Sequence, residues 1–173
     1  NEGHSALLIV ERLKKLVLEG GHTFEEARAL IKSTTVFTSH TPVEAGNERF
    51  ETVLARRYLE ADVKKLGLEF DEFAESAFLH DKDSIWLPAL ATRFAAYLNG
   101  VSVLHAAVSR RMWNVLFPGV PEREIPFLAI TNGVHGSWVA PEIRDLLRNY
   151  VGTTLVEGGG DEQELRRRMD ALP

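Results

Sequence analysis

The sequence predicts an α/β fold in which a few parallel strands are covered by helices. Apolar residues recur at helical spacing over most of the 173 residues, which indicates that helices dominate. Two short apolar runs bounded by polar residues interrupt the helices, and they predict buried strands at Thr34–Phe37 and Ile125–Ile130. Short buried strands among helices are typical of a parallel sheet with helical layers.

The composition is that of an ordinary globular domain, with 45% hydrophobic and 26% charged residues. A net charge of −5 argues against nucleic acid or an anionic membrane as a partner, because both attract basic surfaces. The absence of cysteine excludes disulfides and thiolate metal sites, and it fits a cytoplasmic location. No apolar run reaches the roughly 20 residues of a membrane span. Because the first residue is Asn1 rather than methionine, we expect a segment of a longer protein.

Helix signals fill the chain around the first strand. Thr23 and Glu26 form a capping box that predicts the start of one helix before it. Helical spacing returns once the polar loop after this strand has ended. The acidic and mixed stretch Leu68–Asp83 interrupts that spacing, and we predict a surface excursion there with one short helix near Phe73.

Ala89–Leu98 is predicted to be a helix that ends at Asn99-Gly100, and three further helices are predicted after it. The first carries a stripe formed by Val101, Leu104, His105, Val108, Met112 and Val115. Because His105 lies on this apolar stripe, we predict a core histidine whose ring is satisfied by a backbone group. Pro141 begins the next helix, and Asp161 caps a last helix after a glycine-rich link.

Polar residues follow each predicted strand. The first strand runs into a loop that holds His40, Glu44 and Glu48, and the second runs into Asn132 and His135. Ligands of parallel α/β sheets bind beyond the carboxyl ends of the strands. The sequence therefore predicts a functional site at these two loops.

The residues alone leave the chemistry of this site open. Glu44 and Glu48 would suit the carboxylate pair of a glycosidase. His40, His135 and Glu44 would suit a metal-dependent hydrolase, but no two histidines have the helical spacing of metal ligands and HExxH is absent. No metal site is therefore predicted. Walker A, GxGxxG and GxSxG patterns are absent as well.

Five motifs occur in an order that resembles one enzyme family. They are Asn1-Glu2-Gly3-His4, the run FTSHTPVEAGN at residues 37–47, Asn99-Gly100-Val101 with His105, Ser109-Arg110-Arg111-Met112-Trp113, and Thr131-Asn132-Gly133-Val134-His135 with Trp138. In this order and spacing the chain resembles the α-glucan phosphorylases, which comprise glycogen, starch and maltodextrin phosphorylases, and especially their bacterial and archaeal branch. Each motif is weak alone, but five in order over nearly the whole chain are specific.

The resemblance implies a Rossmann-like (GT-B type) enzyme of two domains with the active site in the cleft between them. It implies a glycosyltransferase that cleaves terminal α-1,4-linked glucose with inorganic phosphate and releases glucose 1-phosphate with retained configuration. Pyridoxal phosphate would act through its phosphate group. Allosteric control is a property of the family, and a homodimer of the full enzyme is compatible with the resemblance.

The resemblance also implies a role for individual positions. His40 would lie against the terminal glucose, where its backbone carbonyl and ring polarise the sugar. Asn132 would hydrogen-bond a glucose hydroxyl. Glu2 and His4 would line the acceptor side of the glucan channel, and Glu48 would be a loop carboxylate near the site.

The resemblance places the cofactor mainly outside this chain. Trp138 matches a tryptophan near the cofactor, although the loop before it is one residue shorter than the family's version. The family's cofactor lysine lies far beyond the Thr-Asn-Gly motif, and this sequence has no lysine after Lys82. We therefore expect residues 1–152 to be the C-terminal part of the N-terminal glucan-binding and catalytic domain. Residues 153–173 would be a linker and a helix leading toward the missing cofactor domain.

Two consequences follow for the chain by itself. Its partner would be the remainder of the same polypeptide, and alone it should be inactive. The alternative is a non-catalytic glucan-binding or assembly module, against which we note that the three tryptophans form no evident stacking platform in the sequence.

Overall fold

The computed structural model describes residues 1–133, 138–152 and 161–171. The chain divides into two compact units, Asn1–Thr131 and Asn132–Pro173, which are described separately below. None of the helices in the described residues has the length and apolar character needed to cross a membrane.

Helices make up most of the first unit. They are α1 (Leu7–Lys14), α2 (Phe24–Ser33), α3 (Thr52–Lys65), α4 (Phe70–Ala74), α5 (Leu87–Arg93) and α6 (Val103–Met112). The predicted capping box is confirmed at the start of α2, where Thr23 and Glu26 each accept a hydrogen bond from the other's backbone N–H. Short 3₁₀ turns lie at Gly3–Ala6, Glu44–Gly46, Glu75–Ala77, Asn114–Leu116 and Glu122–Glu124, and one π-helical turn extends α1 at Lys15–Glu19.

The first unit contains a three-stranded parallel sheet. Its strands are β1 (Val36–Ser39), β4 (Tyr97–Gly100) and β5 (Phe127–Ala129), in the order β1-β4-β5. A separate antiparallel pair joins β2 (Arg49–Glu51) to β3 (Ser84–Trp86). Both predicted strands are therefore present, each shortened or shifted by about two residues, and the predicted α/β class with parallel strands and helices is confirmed.

One face of the parallel sheet builds the core. Phe37, Leu98 and Phe127 are paired across the three strands and are all buried on this face. The same face continues to Ser39 and Gly100 at the carboxyl ends of β1 and β4, because side chains alternate along a strand. Helix α6 packs against β4 and β5 beside these strand ends.

The stretch Leu68–Asp83 is not the predicted surface excursion. It contains α4 and a 3₁₀ turn, and its apolar side chains enter the core, namely Phe70, Phe73, Ala74, Ala77 and Leu79. The acidic residues between them face solvent, which explains why composition suggested a surface segment. Arg93 of α5 also secures this stretch by donating to the carbonyls of Ser76 and Phe78 at 2.8 Å.

The buried face of α6 also differs from the predicted apolar stripe. Leu104 is 76% exposed, whereas Ala106 and Ser109 are buried. The reason is a close approach between α6 and the end of β4. A Cβ added to Gly100 would lie 2.8 Å from the Ala106 nitrogen, so the helix turns its small residues toward the glycine. His105 is buried as predicted, but its ring makes no hydrogen bond to a backbone group among the described residues, so that part of the prediction is wrong.

The second unit contains two helices among its described residues. They are α7 (Pro141–Val151) and α8 (Glu162–Asp170), and they pack against each other. Pro141 lies in the first turn of α7, and the Asp161 side chain accepts from the Gln163 N–H at the start of α8, as predicted. Residues 153–160, predicted as a glycine-rich link, lie outside the described residues.

Candidate functional site

The site loop, residues 40–48, leaves the carboxyl end of β1 and returns into β2. Its only regular structure is the 3₁₀ turn Glu44–Gly46, and the Asn47 amide donates to the Val43 carbonyl at 2.9 Å. The start of the chain passes beside this loop. Three pairs of side chains hold the loop in place, and each pair joins residues more than 30 positions apart.

Glu2 makes the densest contacts to the loop. One carboxylate oxygen accepts the His40 backbone N–H at 2.5 Å and lies 3.1 Å from His40 Nδ1. The other accepts the Thr41 hydroxyl at 3.3 Å, and the side chain is only 16% exposed. A half-buried carboxylate that accepts several hydrogen bonds is held in one orientation. These Glu2 contacts therefore fix both the backbone and the ring of His40.

The backbone of Glu2 is strained in a way that serves these contacts. Its φ of +60° is the one positive value at a non-glycine residue among the described residues. Its N–H donates to the Thr38 carbonyl at 2.9 Å, which attaches the chain start to strand β1 just before the loop. Strained backbone of this kind persists only where the surrounding contacts require it, and it is concentrated at functional sites.

The contacts of His40 assign its tautomer from the hydrogen-bond network. A carboxylate only accepts, so the neutral ring carries its hydrogen on Nδ1 toward Glu2. Nε2 then presents a lone pair, and it has no hydrogen-bond partner among the described residues. A group arranged in this way can accept a hydrogen bond from a hydroxyl of a bound molecule.

His4 and Glu48 form a second pair at the other end of the loop. The His4 Nδ1 lies 3.2 Å from a Glu48 carboxylate oxygen. The glycine between Glu2 and His4 makes this approach possible, because a Cβ on Gly3 would lie 2.5 Å from Glu48 Oε2 and 2.7 Å from the Pro88 ring. The structure thus brings Glu2, His4, His40 and Glu48 together, although 44 positions separate His4 from Glu48.

The contact between His80 and the site loop was not predicted from the sequence. His80 is exposed, and its Nε2 lies 3.1 Å from a Glu44 carboxylate oxygen in the 3₁₀ turn of the loop. The edge of its ring also meets the Trp86 ring at 6.0 Å and 88°. No local pattern in the sequence signals a pair 36 positions apart.

The second loop belongs to the second unit. Asn132 is exposed, and Trp138 is 74% exposed. His135 lies outside the described residues, so the structure gives no geometry for the set of His40, His135 and Glu44. Within the described ranges, no three histidine, aspartate or glutamate side chains converge as metal ligands would.

Comparison with known proteins identifies relatives of one kind. No protein-family model matches the chain. The chain is 38% identical over 160 residues to a glycogen phosphorylase of Mycobacterium tuberculosis and 39% identical over 153 residues to a maltodextrin phosphorylase of Thermococcus litoralis. It is also 30% identical over 165 residues to a glycogen phosphorylase of Aquifex aeolicus.

The extent of these matches defines what they mean. They cover 88% to 91% of this chain but only 18% to 22% of each relative. The chain thus spans about a fifth of the length of the curated relatives that it matches, and it corresponds to a segment of them. Over nearly its whole length, the chain is similar to a segment of the glycogen and maltodextrin phosphorylases.

Proposed function

We propose that this chain is the part of an α-1,4-glucan phosphorylase that holds the glucose at the point of cleavage. The whole enzyme would transfer the terminal α-1,4-linked glucose of a glucan to inorganic phosphate and release glucose 1-phosphate. The observation that carries the proposal is the set of Glu2 contacts, which fix His40 at the carboxyl end of β1 with Nε2 free to meet a hydroxyl.

His40 is assigned the main role. Glycosyl transfer passes through an oxocarbenium-like state in which positive charge develops on the sugar ring. A carbonyl dipole held toward that ring stabilises the charge without reorganising at the moment of reaction. The Glu2 contacts supply this fixed orientation, because they hold the His40 backbone as well as its ring.

The other site residues are assigned to sugar binding. Asn132 would hydrogen-bond a glucose hydroxyl, and Glu48 would be a loop carboxylate near the glucose. Glu2 and His4 would line the acceptor side of the glucan path. The pairing of His4 with Glu48 supports this grouping, because buried or paired polar side chains at fixed positions discriminate between sugar hydroxyls.

The described residues do not by themselves form a site for pyridoxal phosphate. Every lysine lies at or before Lys82, and the lysine ion pairs of the described residues are made with carboxylates outside the site loop. Trp138, assigned near the cofactor, is mostly exposed. We therefore place the cofactor in the rest of the enzyme, with residues 1–152 belonging to the glucan-binding domain and residues 153–173 leading toward the cofactor domain.

The setting of the whole enzyme is part of the same proposal. Its partners would be the α-1,4-glucan, inorganic phosphate and the remainder of the polypeptide, with a homodimer as one arrangement open to it. We also propose an allosterically controlled, cytoplasmic enzyme. The lack of cysteine supports that location, since cysteine-free chains do not depend on an oxidising compartment.

The experiment is a phosphorolysis assay on the complete enzyme with His40→Ala and Asn132→Ala. We expect each variant to lose about a hundredfold or more in kcat, because each removes a group directed at the transition state. His22→Ala is the matched control, since His22 lies in a turn before α2, and it should keep the wild-type rate.

The outcomes separate the two function hypotheses. If the wild-type enzyme forms glucose 1-phosphate and the His40→Ala variant has the same kcat, the role assigned to His40 is wrong. If the complete protein binds maltooligosaccharide but forms no glucose 1-phosphate, the enzyme hypothesis is wrong and the alternative, a non-catalytic glucan-binding module, takes its place.

A further inference from the structure

A row of buried polar atoms on α6 lacks protein partners. Among the described residues, no hydrogen bond is made by either ring nitrogen of His105, by the Ser109 hydroxyl or by the Trp113 indole N–H. His105 is 7% exposed, and the other two are fully buried. Positions four apart lie on one helix face, so these three side chains follow a single line along α6 and its C-terminal end.

Two more atoms of this kind lie at the two ends of the site loop. The Ser39 hydroxyl is fully buried without a partner in the described part of the chain, and Ser39 directly precedes His40. The Asn47 side-chain oxygen is also buried and has no hydrogen-bond partner among the residues that the structure describes, and Asn47 directly precedes Glu48. Each end of the loop therefore carries one buried polar side chain next to a proposed sugar-binding residue.

Contacts place these flanking residues at the two ends of the α6 row. Ser39 pairs with Gly100 in the neighbouring strand, so both project toward the α6 face of the sheet. A Cβ on Gly100 would lie 2.6 Å from His105 Nδ1, which shows that the His105 ring covers this strand end. At the other end, the Asn47 amide lies 3.9 Å from the sulfur of Met112, the residue before Trp113.

We propose that ordered internal water binds along this α6 polar cluster, made of Ser39, Asn47, His105, Ser109 and Trp113. His105 would be a positioning residue that holds the site loop through this water. Water fits the cluster because a water molecule both donates and accepts hydrogen bonds. The cluster presents an indole donor, an amide acceptor, two hydroxyls and an imidazole ring with one donor and one acceptor nitrogen. The role assigned to His105 rests on the proposed function of the loop.

The first test is a crystal structure of the complete enzyme at a resolution that shows water. We expect at least one ordered water within hydrogen-bond distance of a His105 ring nitrogen and of Ser39 or Ser109. A dry cluster, in which these side chains bond directly to one another or to the backbone, would overturn the proposal.

The second test compares His105→Leu with His105→Gln in phosphorolysis by the complete enzyme. Leucine removes both ring nitrogens, whereas glutamine keeps one donor and one acceptor for water. We expect His105→Leu to lower kcat about tenfold with little change in KM, because a displaced loop is felt mainly in the transition state. His105→Gln should recover most of this loss.

A control separates this role from simple stability. Val63→Ala removes two methyl groups from a fully buried position on α3. It should lower the melting temperature but keep kcat. Ser109→Ala serves in place of His105→Leu if the leucine variant does not fold. Equal kcat losses in the leucine and glutamine variants, or no loss in either, would contradict the positioning role.

The result also separates this inference from the proposed function. If the wild-type enzyme forms no glucose 1-phosphate, the proposed function fails, and the positioning role fails with it. If the wild-type enzyme is active but the cluster is dry, only the water proposal fails.

Discussion

At the scale of single residues, Gly3 shows how a contact between distant segments depends on the absence of a side chain. Glu2 and His4 point to opposite ends of the site loop, and Gly3 lies against Glu48 and Pro88 between them. The sequence motif Asn1-Glu2-Gly3-His4 suggested roles for its polar residues through family resemblance. It did not indicate that the glycine is the residue that admits Glu48.

Gly3→Ala is therefore expected to destabilise the protein and separate His4 from Glu48. The added Cβ would lie 2.5 Å from a Glu48 oxygen and 2.7 Å from the Pro88 ring, and overpacking of this kind costs about 1–3 kcal/mol. Chemical denaturation of the complete enzyme measures the change. Gly133→Ala is the matched control for stability, because a Cβ there meets no atom of the described residues within 4 Å. Equal stability of the two variants would show that the approach at Gly3 is not tight.

His80 allows a second prediction at the residue scale. Its contact with Glu44 is exposed at both ends, and exposed pairs contribute about 0–1 kcal/mol. We therefore expect His80→Ala to change the free energy of unfolding by less than about 1 kcal/mol. A loss of several kcal/mol would show that this pair does more than hold the 3₁₀ turn.

At the scale of elements, the capping box of α2 is the clearest case in which local sequence determined local structure. Thr23 and Glu26 satisfy two N–H groups at the start of the helix, and both bonds are present. The bonds from the Thr23 backbone and hydroxyl hold the pKa of Glu26 below its ordinary value. Because the folded-state pKa is lowered, the stabilisation is present above the unfolded-state pKa and is lost as the pH falls through the folded-state pKa.

Thr23→Ala tests this element. We expect a loss of about 1 kcal/mol of unfolding free energy at pH 7, the usual cost of removing a cap, and no loss for Thr23→Ser, because serine caps a helix at least as well as threonine. The difference from wild type should shrink in acid, where protonated Glu26 accepts less well. Denaturant unfolding at pH 7 and near pH 4 measures both values. A difference that grows in acid would contradict the assigned cause.

Short strands were the elements that the sequence predicted least well. The strands β1 and β5 were predicted from apolar runs, but β2, β3 and β4 were not. The strand β4 ends in Asn99 and Gly100, which indicated a helix end, and β2 has only one apolar residue among three. Such strands form because neighbouring segments pair with them, and a local window contains no information about those partners.

At the scale of the whole molecule, the site combines segments that are far apart in the chain. The residues of the site were predicted from their position after a strand and from family resemblance. The imidazole and carboxylate groups of the loop indicated polar binding or catalysis without the resemblance. The Glu2 contacts to His40 span 38 positions and the His4 contact to Glu48 spans 44, so no spacing rule could predict them. The buried α6 face was missed for the same reason, since Gly100 determines which side of the helix approaches the sheet.

The isolated 173-residue chain should form no glucose 1-phosphate from maltooligosaccharide and phosphate, with or without added pyridoxal phosphate. The physical reason is that the chain has no lysine after Lys82, so its later part offers no amine to hold the cofactor. A coupled assay for glucose 1-phosphate measures this directly, with the complete enzyme as the positive control. Phosphorolysis by the isolated chain would contradict the division of labour that we propose.

The most direct test of the role proposed for Glu2 and His40 is a comparison of kcat/KM for phosphorolysis between the complete wild-type enzyme and its Glu2→Ala variant. Glu2→Ala removes the carboxylate that holds the His40 N–H, the His40 ring and Thr41. Hydrogen bonds to a charged group contribute about 1.5–3 kcal/mol each, so we predict a loss of about tenfold to a hundredfold or more. Glu19→Ala, at an exposed position after α1, should keep the wild-type value. The proposed function would be contradicted if the wild-type enzyme formed no glucose 1-phosphate. The role of Glu2 would be contradicted if the wild-type enzyme were active and the Glu2→Ala variant had the same kcat/KM.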